Sequence, residues 1–471
     1  MFVKNSFEYD ARVTKEAKTL IRAGHDVTVV ALYAPNVTPM EETTADGIHV
    51  VRVPRSSFGI PALNRIARRY AGSIESRHVR LTGETYNEDM AQELGRFSAP
   101  STVAPNEPTD VPHHIPQPPD TPPSPMAKAW GAVTTPILRS LARIARWGFG
   151  IVKGLLGQQS QTLKHRAIDR RMVEVGVGTG ADVFHSHDLN TLRVGAQCKK
   201  RTGALLVYDS HELQTERNRM TDKAREQAMT LEGSLLPSVD AMIVASPSWV
   251  TWNKDLYSGL PDPTVTLLNV PEQTEIDMSA DLRSELDIEP NQSIVIYQGS
   301  IQENRGIEPA IEAVAMLDDV TLVVIGYGYH RPALETLVKD RDLDDRVLFF
   351  GPVPNDELIS YSASADVGLA NIVNSSVSYH TSLPNKLFEY VMAGIPVVGS
   401  DSPEIGRVIK EQHIGEVCDA DDPVALAQAI SAVLDDPAGY DEALSTTSER
   451  YNWDVEQEIL IELYAGLGDP L

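Results

Sequence analysis

The chain reads as an α/β protein with two parallel-sheet domains, and three observations carry that reading. From Ala181 onward, short runs rich in β-branched and apolar residues recur with helical segments between most of them, the pattern of strands in parallel sheets. The runs are Ala181–His185, Leu205–Tyr208, Ala241–Ala245, Val265–Leu268, Ser293–Tyr297, Leu322–Ile325, Val347–Phe350, Val367–Leu369 and Pro396–Gly399, enough for two sheets. The stretch Glu272–Asp287 is polar and strand-poor, a natural boundary between them. Finally, 471 residues at about 100–200 per domain correspond to two or three domains.

Composition removes several classes of function. Hydrophobic content of 42% and charged content of 23% are ordinary for a globular chain. With 41 Lys+Arg against 66 Asp+Glu, the net charge is −25, which argues against nucleic acid as a partner, since phosphate neutralisation needs a basic surface. Cys198 and Cys418 are the only cysteines, so neither a disulfide framework nor a Cys-rich zinc site is available, and a reducing cytoplasm is expected. The first residues lack the apolar run of a signal peptide, and no stretch approaches the ~18 apolar residues of a spanning helix.

The elements follow in order. Met1–Val3 is a stub of strand; Asp10 is an N-cap; Val13, Ala17 and Leu20 fall on one helical face; Gly24 ends that helix; and Val27–Ala31 is a buried strand. A three-residue first strand is short where about five or six is typical, pointing to an upstream start codon or a frayed sheet edge. The α/β rhythm then breaks over 56–171. Ser98–Pro125 holds 10 of the chain's 31 prolines and few large apolar side chains, so it is expected to be a disordered linker.

Met126–Arg171 has nine Lys/Arg and one acid, net +8, leaving −33 for the rest of the chain. Within 136–157, Ile137, Leu141, Ile144, Gly148, Ile151 and Leu155 share one helical face, with Arg139, Arg143, Arg146 and Lys153 about 200° away. A basic amphipathic helix with Trp147 and Phe149 fits the interface of an anionic membrane. Packing on the protein's own acidic surface is the other reading of the same pattern.

Several stretches then stand together: DARVTKEAKTLIRAGHDVTVVA (10–31), DVFHSHDLNTL (182–192), LVYDSHEL (206–213), YQGSIQENRGIEPAIEAV (297–314), VVIGYGYHRPALE (323–335), FFGPVPNDELISYSASADVGLA (349–370) and LPNKLFEYVMAGIPVVGSDSPEI (383–405). Outside 56–171 the chain resembles the retaining glycosyltransferase family 4, whose GT-B fold sets two Rossmann-like domains across a cleft. The resemblance implies an acceptor-side domain at 1–271 with the 56–171 insertion, a nucleotide-sugar-binding domain at 272–450, and a last helix, 451–471, returning to the first domain. It implies sugar transfer from a nucleotide-diphosphate donor with no tightly bound cofactor and no metal.

That transfer needs fixed donors for the growing diphosphate charge and a hold on the acceptor hydroxyl. Gly299 and Ser300 close a strand, and Arg305 precedes a helix, so a diphosphate fits that turn. Family members place an Arg and a Lys five residues apart here; this chain keeps Arg305 and has Ser300 for the other. Lys386 could replace the missing charge, with Asn385 beside it at a helix start. Glu389 matches the second Glu of the family's Glu-x7-Glu motif, a ribose ligand, while the first falls at Thr381. Gly326 and Val353 fit loops whose backbone contacts the nucleoside, although tight turns would explain the glycine as well.

His187 and His185 point to one side of the chain at a strand end, where open α/β sheets bind ligands. The resemblance puts His187 at the transferred sugar and Asp188 beside it, as an acceptor-orienting carboxylate or a helix cap, with His211 and Glu212 behind them. No carboxylate pair suits a retaining hydrolase. GVGTG (176–180) precedes its strand, so a helix C-cap explains it better than dinucleotide binding. His-x-His after a strand also opens some metal sites, but these need further His and Asp at later strand ends, and only His211 is in view.

The reading is a cytoplasmic glycosyltransferase, peripheral on the inner face of the plasma membrane through 136–157, acting on a glycan or lipid-linked acceptor. A nucleotide-sugar epimerase and a catalytically decayed nucleotide-binding partner remain as alternatives.

Overall fold

The structure, a computed structural model, describes residues 1–8, 10–35, 37–55, 164–277 and 279–468. The linker expected at 98–125 and the basic helix expected at 136–157 lie outside the described residues. Residues 1–55 and 168–471 form one compact unit, which carries both sheets.

The first sheet comprises β1 (Thr28–Tyr33), β2 (Glu41–Thr43), β3 (His49–Pro54), β4 (Val183–His187), β5 (Leu205–Ser210), β6 (Ala241–Val244) and β7 (Thr264–Thr266). Its two halves run β1-β3-β2 and β4-β5-β6-β7, parallel except for β2 on β3. Phe2 bridges Val30 of β1 and Ser186 of β4. The short stretch Met1–Val3 is therefore the seam in the middle of this sheet, not the frayed edge that its length suggested. Three residues suffice because both neighbours bond to it: the Phe2 N–H donates to His185 O at 2.8 Å, and the Val3 N–H to Val30 O at 3.1 Å.

The second sheet comprises β8 (Ser293–Gln298), β9 (Val320–Ile325), β10 (Val347–Gly351), β11 (Val367–Ala370), β12 (Val397–Ser400) and β13 (Gly415–Cys418). All pairs are parallel, in the order β10-β9-β8-β11-β12-β13. Counted from β8 this is 3-2-1-4-5-6, the dinucleotide-binding order, which reverses between β8 and β11 and opens a crevice there. β9, β11 and β12 are buried on both faces, which is why they read as continuous apolar runs.

The first helix, Ala11–Arg22, starts where Asp10 accepts a hydrogen bond from the Val13 N–H at 3.2 Å. Its apolar stripe Val13, Ala17 and Leu20 faces the core. The opposite stripe is buried too: Arg12, Lys15, Glu16 and Thr19 are each under 10% exposed. Both chain crossings between the sheets dock on that stripe. Arg12 Nη1 donates to Leu267 O at 3.0 Å, and Lys15 Nζ to Asn269 Oδ1 at 2.9 Å. Trp453, fully buried at the start of the last helix (Trp453–Gly468), donates from Nε1 to Thr19 Oγ1 at 2.9 Å and from its N–H to Pro271 O at 2.8 Å.

A second tie joins the sheets' outer helices. Ser246 Oγ donates to Thr381 O at 2.9 Å, and Trp249 Nε1 to Thr381 Oγ1 at 3.0 Å. Glu404 accepts from the Ser248 N–H at 2.9 Å, at the start of helix Pro247–Leu256. A carboxylate after β12 thus caps a helix of the first sheet. Elsewhere, GVGTG ends helix 164–179, and Gly180 turns with φ 68°.

Candidate active site

Both sheets end at one cleft of about 560 Å³, lined among others by Asn5, Arg12, Asp188 and His211 from the first sheet's side and Arg305 and Asn385 from the second's. The second wall forms where β8 ends. Gly299 turns there with φ 125° and Ser300 is exposed, its carbonyl accepting from Tyr297 OH at 2.9 Å. Gly306 must be glycine: it caps helix Ile307–Val314 with φ 78°, and a Cβ would lie 1.8 Å from Asn371 O. That close packing sets Arg305 against the crevice between β8 and β11.

Arg305 lies over the Tyr379 ring at 4.6 Å, and Lys386 Nζ over the Tyr297 ring at 3.5 Å. Arg305 Nε and Lys386 Nζ are buried with no hydrogen-bond partner. Burial, and then the nearby Arg305 charge, push the Lys386 ammonium well below the usual lysine value. Lys386 sits in the first turn of helix Asn385–Met392, whose N-cap, Pro384, offers no side-chain cap. One turn on, Glu389 accepts from Gln298 Nε2, and burial raises its carboxyl. Of the sequence candidates, Asp188, Arg305 and Asn385 line the cleft, and His187, Gly299, Ser300, Gly326, Val353, Lys386 and Glu389 do not. Gly326, after β9, packs on the turn that follows β8, where a Cβ would lie 1.9 Å from Gly299 O, and the Val353 side chain packs on the core. Thr381, at the position of the family's first Glu, is taken up by Trp249 and Ser246.

The first wall differs from expectation in detail. β4 runs to His187, two residues further than the apolar pattern, because His185, Ser186 and His187 pair with Val207, Tyr208 and Asp209 of β5. His185 and His187 do share a side, their rings stacked 4.3 Å apart. Both are buried beneath the wall, at 1% and 3% exposure, and the residues that reach the cleft are Asp188 and His211. Asp188 has φ 63° and ψ 159°, a conformation that costs a non-glycine residue ~1–3 kcal/mol. It is the N-cap of helix Leu189–Thr202 but makes no side-chain cap bond, and its carboxylate accepts instead from the His211 N–H at 3.2 Å. The strain turns a carboxylate that would cap toward the cleft.

Beneath it lies a charged cluster in which His185, His187 and His211 are sequence candidates and Arg12, Glu16 and Asp209 are not. Asp209 accepts from Arg12 Nε at 3.0 Å and Nη2 at 2.9 Å, and pairs with His211 Nε2 at 2.8 Å. Against the cost of burial, the Arg12 guanidinium foremost holds Asp209 well below the usual carboxylate range. Burial works against His211 as well, yet Asp209 and Asp188 raise its imidazole to about 9. Glu16, buried and beside Asp209, is raised well above its ordinary value. His185 Nδ1 meets Tyr464 OH of the last helix at 2.9 Å.

Known proteins resemble this chain in sequence and in fold. Residues 278–451 match the family model described as Glycosyl transferases group 1. That stretch takes in the whole second sheet, β8 to β13. A D-inositol 3-phosphate glycosyltransferase of Salinispora tropica is 26% identical over 312 residues, 60% of this chain and 63% of the relative, so the chain spans less than two thirds of that relative's length. Among solved structures, sucrose-phosphate synthase of Thermosynechococcus elongatus aligns with a TM-score of 0.61 at 18% identity, over 97% of this chain and 92% of that one. Anabaena HepE in complex with UDP-glucose aligns with a TM-score of 0.55 at 17% identity, over 66% of this chain and 84% of that one. These likenesses show the fold: two α/β domains in the GT-B arrangement.

Proposed function

We propose that the protein is a retaining glycosyltransferase that takes a sugar from a nucleotide-diphosphate donor to an acceptor hydroxyl. The observation that carries this reading is the pair Arg305 and Lys386. Two cations with unpartnered buried nitrogens lie where the second sheet's order reverses, resting on aromatic rings instead of carboxylates. A diphosphate satisfies both, with the first turn of Asn385–Met392 adding its N–H groups. Glu389 and Gln298 offer hydrogen bonds to a ribose, and Gly299 leaves room beside Lys386. UDP-glucose in the HepE complex is a donor of this class.

Residues 1–271 then present the acceptor, 272–450 hold the donor, and 451–471 tie the two. Asp188 orients the acceptor hydroxyl, and His187 acts from beneath through Asp209 and His211. Departure of the diphosphate is helped by the two cations, which meet charge that grows as the anomeric bond breaks. The acceptor is a membrane-associated or lipid-linked glycan, brought near by the basic segment 136–157; among the described residues, no helix is long and apolar enough to cross a membrane. The test is turnover of UDP-, GDP-, dTDP- and ADP-sugars with lipid-linked glycan acceptors in vesicles, reading released diphosphate and product anomer by NMR. Product with the donor's anomeric configuration is expected. Inversion contradicts the retaining assignment, and tight diphosphate binding without turnover moves the reading to a decayed binding partner.

A further inference from the structure

A second cavity, of about 360 Å³, opens beyond the carboxyl ends of β11, β12 and β13, the edge at which parallel α/β sheets bind ligands. It adjoins the cleft already described, because Ile372 lines both, and shares no other residue with it. Its deeper polar atoms are not spent within the chain. Ser402 is 9% exposed and its Oγ has no hydrogen bond; His380 Nδ1 is buried without one as well. Such orphans call for a partner. Ser400, two residues before Ser402, shows what a structural hydroxyl in this loop does: its Oγ accepts from the Ile372 N–H at 2.7 Å and donates to Ile372 O at 2.8 Å.

The mouth of the cavity also has capacity to spare. Asp419 accepts from the Asp421 N–H at 3.1 Å with one oxygen, and Asp401 from Lys410 Nζ at 2.6 Å with one oxygen. The second oxygen of each carboxylate, and the exposed Asn374 amide, have no partner among the described residues. The floor is different in kind. Ile372, Cys418 and Ala420 are buried there, and burial pushes the Cys418 thiol up to about 12, so its sulfur offers an uncharged surface.

This division selects a class of ligand. Among the described residues no Lys or Arg lines the cavity, and Lys410 answers Asp401 only, so a phosphate or carboxylate would meet the charge of Asp419 uncompensated. A pyranose matches instead: its C–H face suits the floor, and each edge hydroxyl both donates to a carboxylate and accepts from an amide, hydroxyl or imidazole. The volume lies near the lower end of the roughly 300–1,000 Å³ of ligand pockets, room for one ring.

We propose that this cavity is a saccharide subsite that takes one neutral pyranose residue, with Asp419 and Asn374 on its edge hydroxyls and Ser402 and His380 at its depth. Because the cavity adjoins the cleft, the residue it takes is a further sugar of the glycan acceptor, a role that rests on the transferase reading. The binding itself does not, since none of its polar residues belongs to the Arg305–Lys386 wall.

Methyl glycosides of glucose, galactose, mannose and N-acetylglucosamine test this on the full chain, titrated without nucleotide and followed by saturation-transfer NMR and calorimetry. At least one should saturate at one molecule per chain. Asp419→Asn, which keeps an acceptor for the Asp421 N–H, should weaken it about 10–100-fold, and Ser402→Ala about 2–10-fold. Ala420→Leu fills the floor and should abolish it. Arg305→Ala should leave glycoside binding unchanged, so a protein that binds glycoside but no nucleoside diphosphate loses the donor assignment and keeps this one. No binding of any of the four up to tens of millimolar, in a folded protein, overturns the proposal. Binding unchanged in both Asp419→Asn and Ser402→Ala overturns it equally, because the sugar then sits elsewhere. Should Ala420→Leu fail to fold, the two polar variants decide.

Discussion

Among the described residues Arg305 and Lys386 form no ion pair and lean on tyrosine rings, a geometry that an anion would complete. A charged hydrogen bond contributes about 1.5–3 kcal/mol, so Arg305→Ala should weaken nucleoside-diphosphate binding roughly 10–100-fold in calorimetry. Lys386 adds a pH signature. Burial holds it well below the usual lysine value in the free protein, and a bound diphosphate favours its charged form. Binding therefore takes up a proton, and affinity falls as pH rises through the window between the free and bound pKa values of Lys386. Arg305 and Glu389 face the same ammonium, but the slope should vanish in Lys386→Met while Glu389→Gln keeps its sign. Arg305 and Glu389 stood out as candidates because each falls in a motif with fixed spacing, and Lys386 because it opens a helix beside them and could replace the charge absent at Ser300. Arg12, Lys15 and Glu16 were not, since a polar stripe opposite Val13, Ala17 and Leu20 is also what a solvated helix face looks like. Only tertiary packing of the last helix and of 267–271 buries it.

At the scale of elements, the sheets were legible because buried parallel strands announce themselves as apolar runs. The misses have physical causes. β4 was placed two residues early because His185–His187 are polar, yet their backbone pairs with β5. β2, with the sequence EET, and β13, with GEVC, lie at sheet edges where neither alternation nor an apolar run develops. Two ties between domains carry predictions. Trp453→Ala removes the largest fully buried side chain among the described residues and its bond to Thr19, and should cost about 3–5 kcal/mol in urea unfolding. Glu404→Ala uncaps helix Pro247–Leu256 across the cleft, an expected loss of about 0.5–2 kcal/mol. A larger radius of gyration in solution scattering should accompany it, and an unchanged radius would show that the tie does not hold the domains closed.

The whole molecule divides its charge unevenly: net −25 overall, with +8 in 126–171. If that segment docks on lipid, the protein should pellet with vesicles containing anionic phospholipid and not with neutral ones, and salt should release it as the Debye length shrinks to about 3 Å near 1 M. Binding to neutral vesicles with equal strength would contradict an electrostatic dock. The account rests above all on the cleft between the two sheets being a nucleotide-sugar site. The most direct measurement is calorimetric titration of UDP, GDP, dTDP and ADP into wild-type protein, Arg305→Ala and Lys386→Met. One diphosphate binding the wild type and weakened at least tenfold in both variants is the predicted result. Binding that both variants leave untouched, or none by any of the four in a folded protein, contradicts it.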